Sequence, residues 1–435
     1  MIQSLIKQLN NLPTLGIITS AGEHYSVAEL IKKADQIRLH YPQLRQATVA
    51  LRYTNLAEFS VALIAFDGWC SAIYLCPPDV PTPQSNLIEW PLERDITTKD
   101  INTNQLDPNY SDVAPTTWYM ATSGTTGEPK WFSHFFLSLS ANAKSSQKLD
   151  TLCWALLYQP FRFAGLQVVL QALLSGANLV DVADYEPLAQ MAFLKHADVT
   201  AVSATPSMWR QLLMTRQLND LTLSHITLGG EIADQSVLDQ LRRLFPNAKL
   251  RHIYASTEAG VGFVVSDGYA GFPAKWLQDK SLAVALKVSD KQHLLIKPSH
   301  QACQTLAQKT DTQGYVDTLD TVQIIDDRVL FLGRATGTIN VGGNKVHPEK
   351  VEQVLMQCTD VSQAKVYAKK SALLGELVVA DVMIIGSADQ HEVKQQVFKM
   401  CKNQLQRYEI PTKICIVNNI SHDPSGKLNR KQQHD

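Results

Sequence analysis

The chain lacks a charge excess: 40 Lys and Arg stand against 41 Asp and Glu, for a formal net charge of −1. A dedicated nucleic-acid binder normally carries a basic surplus, so no nucleic-acid partner is expected. No apolar run approaches the roughly 20 residues that a membrane-spanning helix needs, so no membrane insertion is expected. The segment Met1–Asn10 has no long apolar core of the secretory type. Cysteine is sparse and scattered. The seven are Cys70, Cys76, Cys153, Cys303, Cys358, Cys401 and Cys415, never spaced as CxxC. That disfavours a disulfide framework or a thiolate zinc site and fits a reducing, cytoplasmic setting. The twelve histidines form no HxxxH or HxH pair, which argues against zinc chemistry. Repeats and low-complexity segments are also missing.

What is present is core-forming material. The chain is 45% hydrophobic and 19% charged, enough to fold and too apolar for disorder. At about 100–200 residues per domain, 435 residues call for more than one unit.

The first 260 residues alternate helix-like and strand-like segments. Ser26-Val-Ala-Glu29 reads as a capping box, followed by Val27, Leu30, Ile31, Ala34 and Ile37 at helical spacing. Asn55 and Glu58 open another helix, which Gly68 can close. Short apolar runs at 48–53, 72–76, 118–121, 154–158, 177–182, 199–203, 226–228 and 253–254 read as strands. Stretches such as 166–174 and 237–244 read as helices between them. This is the pattern of helices packed on largely parallel sheets. Residues 83–116 are polar and read as a long surface connection. Beyond about residue 265, 284–288 and 294–296 suggest a smaller sheet. Residues 336–435 form a compact mixed unit, with helices near 351–356 and 393–401 and strands near 378–385 and 414–417.

The segment richest in chemistry is Thr122-Ser123-Gly124-Thr125-Thr126-Gly127-Glu-Pro-Lys130. Its glycines permit tight turns, its hydroxyls and amides can surround a polyanion, and Lys130 adds a mobile positive charge. It is not a Walker A loop, because Trp131 follows the lysine where Ser or Thr belongs.

This segment resembles the phosphate loop of adenylate-forming enzymes, the superfamily of acyl- and aryl-CoA ligases, peptide-synthetase adenylation domains and luciferases. Further motifs of that family follow in order. Leu228-Gly229-Gly230-Glu231 resembles the adenine-binding strand end. Tyr254-Ala255-Ser256-Thr257-Glu258 resembles Tyr-Gly-x-Thr-Glu. Gly314 to Asp320 resembles the segment ending in a ribose-binding Asp. Gly333 to Val346 resembles the hinge and the loop after it, and Pro424-Ser-Gly-Lys427-Leu-Asn-Arg430 resembles Pro-x-Gly-Lys-x-x-Arg. The resemblance spans roughly residues 20 to 430.

The resemblance implies an α/β fold: a large multi-sheet N-terminal domain, residues 1–335, and a small mobile α+β lid, residues 336–435. It implies ATP-dependent activation of a small-molecule carboxylic acid to an acyl-adenylate, then transfer to coenzyme A or to the phosphopantetheine of a carrier protein. Carboxylate and ATP are both anionic, so catalysis must rest on positioning and charge neutralisation. By resemblance Thr122–Gly127 and Lys130 hold the β- and γ-phosphates, Thr257 bonds the α-phosphate, and Glu258 helps bind Mg2+. Asp320 takes the ribose hydroxyls, Arg334 holds ribose or phosphate, and Lys427 bridges carboxylate and α-phosphate. After adenylation the lid rotates about the hinge near Thr336, and Gly342 and Gly343 come to line a pantetheine tunnel.

The chain departs from the family pattern at Thr336, where relatives often have Asp or Lys, at Leu319 for Gly, and at Ala255 for Gly. Neither of the last two removes a donor or acceptor. The acyl pocket implied by resemblance involves Phe161, Arg162, Phe163, Gly165, Ser203, Leu228 and Gly260. Arg162 stands where relatives often carry His. It either pairs with a second anion on the substrate or binds backbone carbonyls. The compact length resembles o-succinylbenzoate–CoA ligases and stand-alone carrier-protein ligases, acting on aryl or short to medium acyl acids as monomer or homodimer. A catalytically silent nucleotide sensor is the competing reading, against which intact Lys427, Glu258 and Asp320 count.

Overall fold

A computed structural model describes residues 4–428 except 79, 84–86, 92–114, 123–129, 257–259, 299–309, 372–373, 387 and 423–425. Two sheets dominate up to residue 265. The larger runs in the order Gly260–Val265, Lys249–Ser256, His225–Gly229, Ala201–Ala204, Cys153–Leu156, Asn178–Asp181, Ile17–Ser20 and Glu23–Ser26. Its inner pairings are parallel, and the outermost on each side is antiparallel. The second runs Ile88–Trp90, Thr48–Arg52, Ala72–Cys76, Thr117–Thr122 and Lys130–Phe135. It is parallel except for the last hairpin.

Parallel pairing requires crossovers, and helices supply them. The helix Val27–His40 starts where the sequence marks it: Ser26 Oγ accepts from the Glu29 amide at 3.2 Å, and Glu29 Oε2 accepts from the Ser26 amide at 2.8 Å. Asn55 caps the helix Leu56–Phe66 the same way, accepting from the Glu58 amide at 2.9 Å. Every residue of that helix but Glu58 is buried. It shares one core with Val49, Leu51, Ile73 and Trp118 of the smaller sheet and with Ile18, Leu156 and Leu179 of the larger. Each such buried side chain contributes about 1.5–3 kcal/mol. The other face of the larger sheet is covered by the helices Pro187–His196, Pro206–Met214 and Gln235–Leu244.

A third sheet is antiparallel: Phe272–Pro273, Arg328–Arg334, Val316–Ile325, His293–Pro298 and Val284–Val288. After the short turn Ala335–Gly337 a fourth begins: Asn344–Val346, Ile339–Val341, Gly375–Ile384 and Val361–Ser371, with Lys413–Ile416 also paired to Gly375–Ile384. The helices Pro348–Leu355 and Gln390–Gln404 pack on it over a separate core that includes Val346, Val351, Val366 and Val397.

Several elements differ from the sequence reading, three of them with a clear physical cause. Residues 83–116 are not wholly a connection, because Ile88–Trp90 adds a parallel edge strand beside Thr48–Arg52. Three residues are too few to show a period. The helix Pro187–His196 was not apparent because it buries only Met191 and Leu194. The strand Val361–Ser371 was hidden by its polar residues, of which Lys369 and Lys370 are exposed.

The cysteines among the described residues are free, and all but Cys415 are buried. Burial pushes the Cys70 thiol up to about 12 and those of Cys76, Cys153 and Cys401 up to about 11, which leaves them unreactive. Among the described residues no helix is long and apolar enough to cross a membrane.

Candidate active site

The parallel strands of the large sheet end side by side, and in open α/β sheets ligands bind at such carboxyl ends. The chain leaving Cys153–Leu156 carries Tyr158 and Phe161. Ala201–Ala204 carries Ser203 and leads to Thr205. His225–Gly229 carries Leu228 and Gly229 and leads to Gly230 and Glu231. Lys249–Ser256 carries Tyr254, Ala255 and Ser256. Ser256 pairs with Gly260 across a bulge at Tyr254 and Ala255. Thr257 and Glu258 lie outside the described residues.

The segment expected to hold phosphate is bounded by two described residues. Thr122 and Lys130 face one another in the hairpin register, and the Thr122 hydroxyl donates to the Lys130 carbonyl at 3.4 Å. Lys130 is exposed, and Ser123–Gly127 lie outside the described residues.

Asp320 sits in the third sheet, opposite Arg334. Arg334 Nε lies 3.2 Å from Asp320 Oδ1. The Tyr254 hydroxyl donates to Asp320 Oδ2, and the Asp320 amide donates to the Thr318 hydroxyl at 3.2 Å. Burial pushes the Asp320 carboxyl up, while Arg334, the Tyr254 hydroxyl and Lys427 pull it back. Burial and the neighbouring carboxylate hold the Tyr254 phenol well above its ordinary value, so it is a hydrogen-bond donor at neutral pH. Its ring stacks on those of Phe263 and Phe331, with centroids 5.1 and 5.2 Å away.

Lys427 comes to this place from the far end of the chain. A Cβ built on Gly230 would lie 3.5 Å from Lys427 Cε, and Lys427 acts electrostatically on Asp320. The lysine is exposed, whereas Gly426 before it is buried. The Gly426 carbonyl accepts from the Thr205 hydroxyl at 2.9 Å, and the Leu428 amide donates to Glu231 Oε1 at 2.9 Å. Nearby, His422 lies between Gln211 Nε2 at 3.3 Å and Gln363 Nε2 at 3.1 Å.

The residues expected to line an acyl pocket are partly inward. Phe161 is buried against Tyr53. Arg162 is half-buried at the start of the helix Phe163–Ser175, its guanidinium 5.9 Å from the Phe161 ring centroid. Phe163 approaches His134, and Gly165 is buried one turn along. Tyr158 is fully buried and hydrogen-bonded to Ser203; burial pushes its phenol up. Thr336 is exposed in the turn between the third and fourth sheets.

The structure thus brings together Gly230, Tyr254, Asp320, Arg334 and Lys427. Sequence reasoning placed Thr205 only within a pocket-wall segment, 203–207, without its role as a helix cap before Pro206, and missed Tyr158, an aromatic at a strand's end. It also missed Glu231's bond to Leu428, for which no local signal exists.

Residues 80–327 match the AMP-binding enzyme family and 350–427 match the AMP-binding enzyme C-terminal domain. The 2-succinylbenzoate–CoA ligase of Listeria innocua is 25% identical over 74% of this chain and 71% of its own length. The fatty acid–[acyl-carrier-protein] ligase ScoC of Streptomyces coeruleorubidus is 24% identical over 76% and 69%. The anthranilate CoA ligase AuaEII, solved with anthranoyl-AMP, superposes with a TM-score of 0.77 at 15% identity over 98% of this chain and 95% of its own. The matched models take in more than half of the chain, and the chain belongs to the AMP-binding enzymes.

Proposed function

We propose that the protein activates a carboxylic acid with ATP and passes the acyl group to a thiol. The observation that carries this is Lys427 docked beside Gly230, within electrostatic reach of Asp320. A cation on a flexible stem can there bridge two anions. A carboxylate oxygen of the acid attacks the α-phosphorus, the bond to the β-phosphate oxygen breaks, and pyrophosphate leaves. The thiol sulfur then attacks the acyl carbon, AMP departs with the electron pair, and the thiol proton passes to solvent.

The residues divide this work. Asp320 keeps lone pairs free beside Tyr254 and Arg334 and accepts from the ribose hydroxyls. Lys130 and the loop Thr122–Gly127 hold the terminal phosphates, and Thr257 the α-phosphate. Glu258 would hold Mg2+, a hard cation that would neutralise phosphate charge there. Residues 1–335 form the adenylating unit and 336–435 the lid. Aryl or short to medium acyl acids are the substrates of this reading, with Phe161, Arg162, Phe163 and Ser203 as the candidate acyl-binding residues. Coenzyme A is the favoured acceptor. The name of the carrier-protein ligase relative supports phosphopantetheine as the alternative.

The test is pyrophosphate release with hydroxylamine as trap, using ATP, Mg2+ and a panel of aryl, succinyl-aryl and fatty acids. Release with one acid class is expected, and Lys427→Ala is expected to lower it by orders of magnitude. Silence with every acid would refute the reading.

A further inference from the structure

The two backbone groups that flank Lys427 are each held by a side chain of the N-terminal unit. On one side the Thr205 hydroxyl donates to the Gly426 carbonyl. On the other, Glu231 Oε1 accepts from the Leu428 amide. The second oxygen, Oε2, accepts from the Ser207 amide at 3.0 Å, in the first turn of the helix Pro206–Met214. Thr205 also caps that helix, accepting from the Met208 amide at 3.1 Å. One helix N-terminus and one carboxylate therefore grip the chain immediately before and after the lysine.

We propose that Glu231 and Thr205 are a latch that positions Lys427 and selects the lid orientation in which the adenylate forms. The inference rests on the adenylation reading above. The partners are 221 and 197 residues apart in sequence, so any rotation of the lid about the Ala335–Gly337 turn breaks both bonds. On the lid rotation that the family resemblance implies, thioester formation takes place in a different orientation and does not use them. Both partners of Glu231 are N–H donors, and only a carboxylate offers each an acceptor oxygen. Glutamine, of the same shape, turns an NH2 toward one of the two amides. A bond to a charged acceptor sits at the strong end of the hydrogen-bond range, so its loss is readily measured.

Glu231→Gln tests this in the full-length protein by two readouts. In single-turnover assays, pyrophosphate formation is expected to fall about tenfold or more with the KM for ATP little changed, while thioester formation from supplied acyl-adenylate does not fall. In hydrogen exchange of the ligand-free protein, the Ser207 and Leu428 amides are expected to exchange faster than in wild type. Thr205→Ser, which keeps the hydroxyl, should behave as wild type, and Thr205→Val should follow Glu231→Gln. An equal fall in both half-reactions, or a rise confined to the KM for ATP, would assign Glu231 to nucleotide binding and overturn the latch. If wild type activates no acid, the functional reading fails separately. The exchange result then decides: faster exchange in Glu231→Gln supports the latch, and unchanged exchange refutes it.

Discussion

Gly426 is the position where the geometry around Lys427 is most sharply constrained. Its φ is +77°, a region that costs a residue with a Cβ about 1–2 kcal/mol. A Cβ there would also stand 2.1 Å from Met208 Cε. Met208 is long and flexible, and turning its end aside costs about 0.5–1.5 kcal/mol. Gly426→Ala should therefore disfavour the docked lid by about 1.5–3.5 kcal/mol, about 10- to 400-fold in adenylate formation. The measurement is single-turnover pyrophosphate release at saturating ATP and acid. Adding Met208→Ala removes the steric share and leaves the backbone share, so the double variant should recover to about 5- to 30-fold below wild type. Thioester formation from supplied adenylate should be spared in both. A Gly426→Ala enzyme that adenylates at the wild-type rate would refute the reasoning, because Lys427 would then act without the docked geometry.

Tyr254→Phe keeps the stack with Phe263 and Phe331 and deletes only the bond to Asp320. Losing a hydrogen bond to a charged group costs about 1.5–3 kcal/mol, so kcat/KM for ATP should fall about tenfold or more. The hydroxyl favours the ionised carboxylate, so its loss raises the Asp320 pKa further. The acid limb of the pH profile should move to higher pH, and an unmoved limb would count against the pairing. Arg162→Ala should raise the KM for the acid selectively if the guanidinium meets a second anion on the substrate. An equal effect on every acid tested would assign Arg162 to packing on Phe161.

Much of the fold was legible because its signals are local. The capping box at Ser26 and the cap at Asn55 are written within four residues, and the buried strand Ala72–Cys76 is a contiguous apolar run. The strand Val361–Ser371 escaped notice because its polar residues break any alternation.

The sequence by itself determined the order of the motifs and with it the family and the chemistry, because each motif joins in a few adjacent residues the groups one phosphate or hydroxyl needs. Only the tertiary structure decided how those groups support one another. The Tyr254 hydroxyl on Asp320, Tyr158 on Ser203, and Thr205 and Glu231 on either side of Lys427 join residues far apart in the chain. Such pairings leave no period and no spacing to read. They exist because parallel strands end at one edge of a sheet and a second unit docks against that edge.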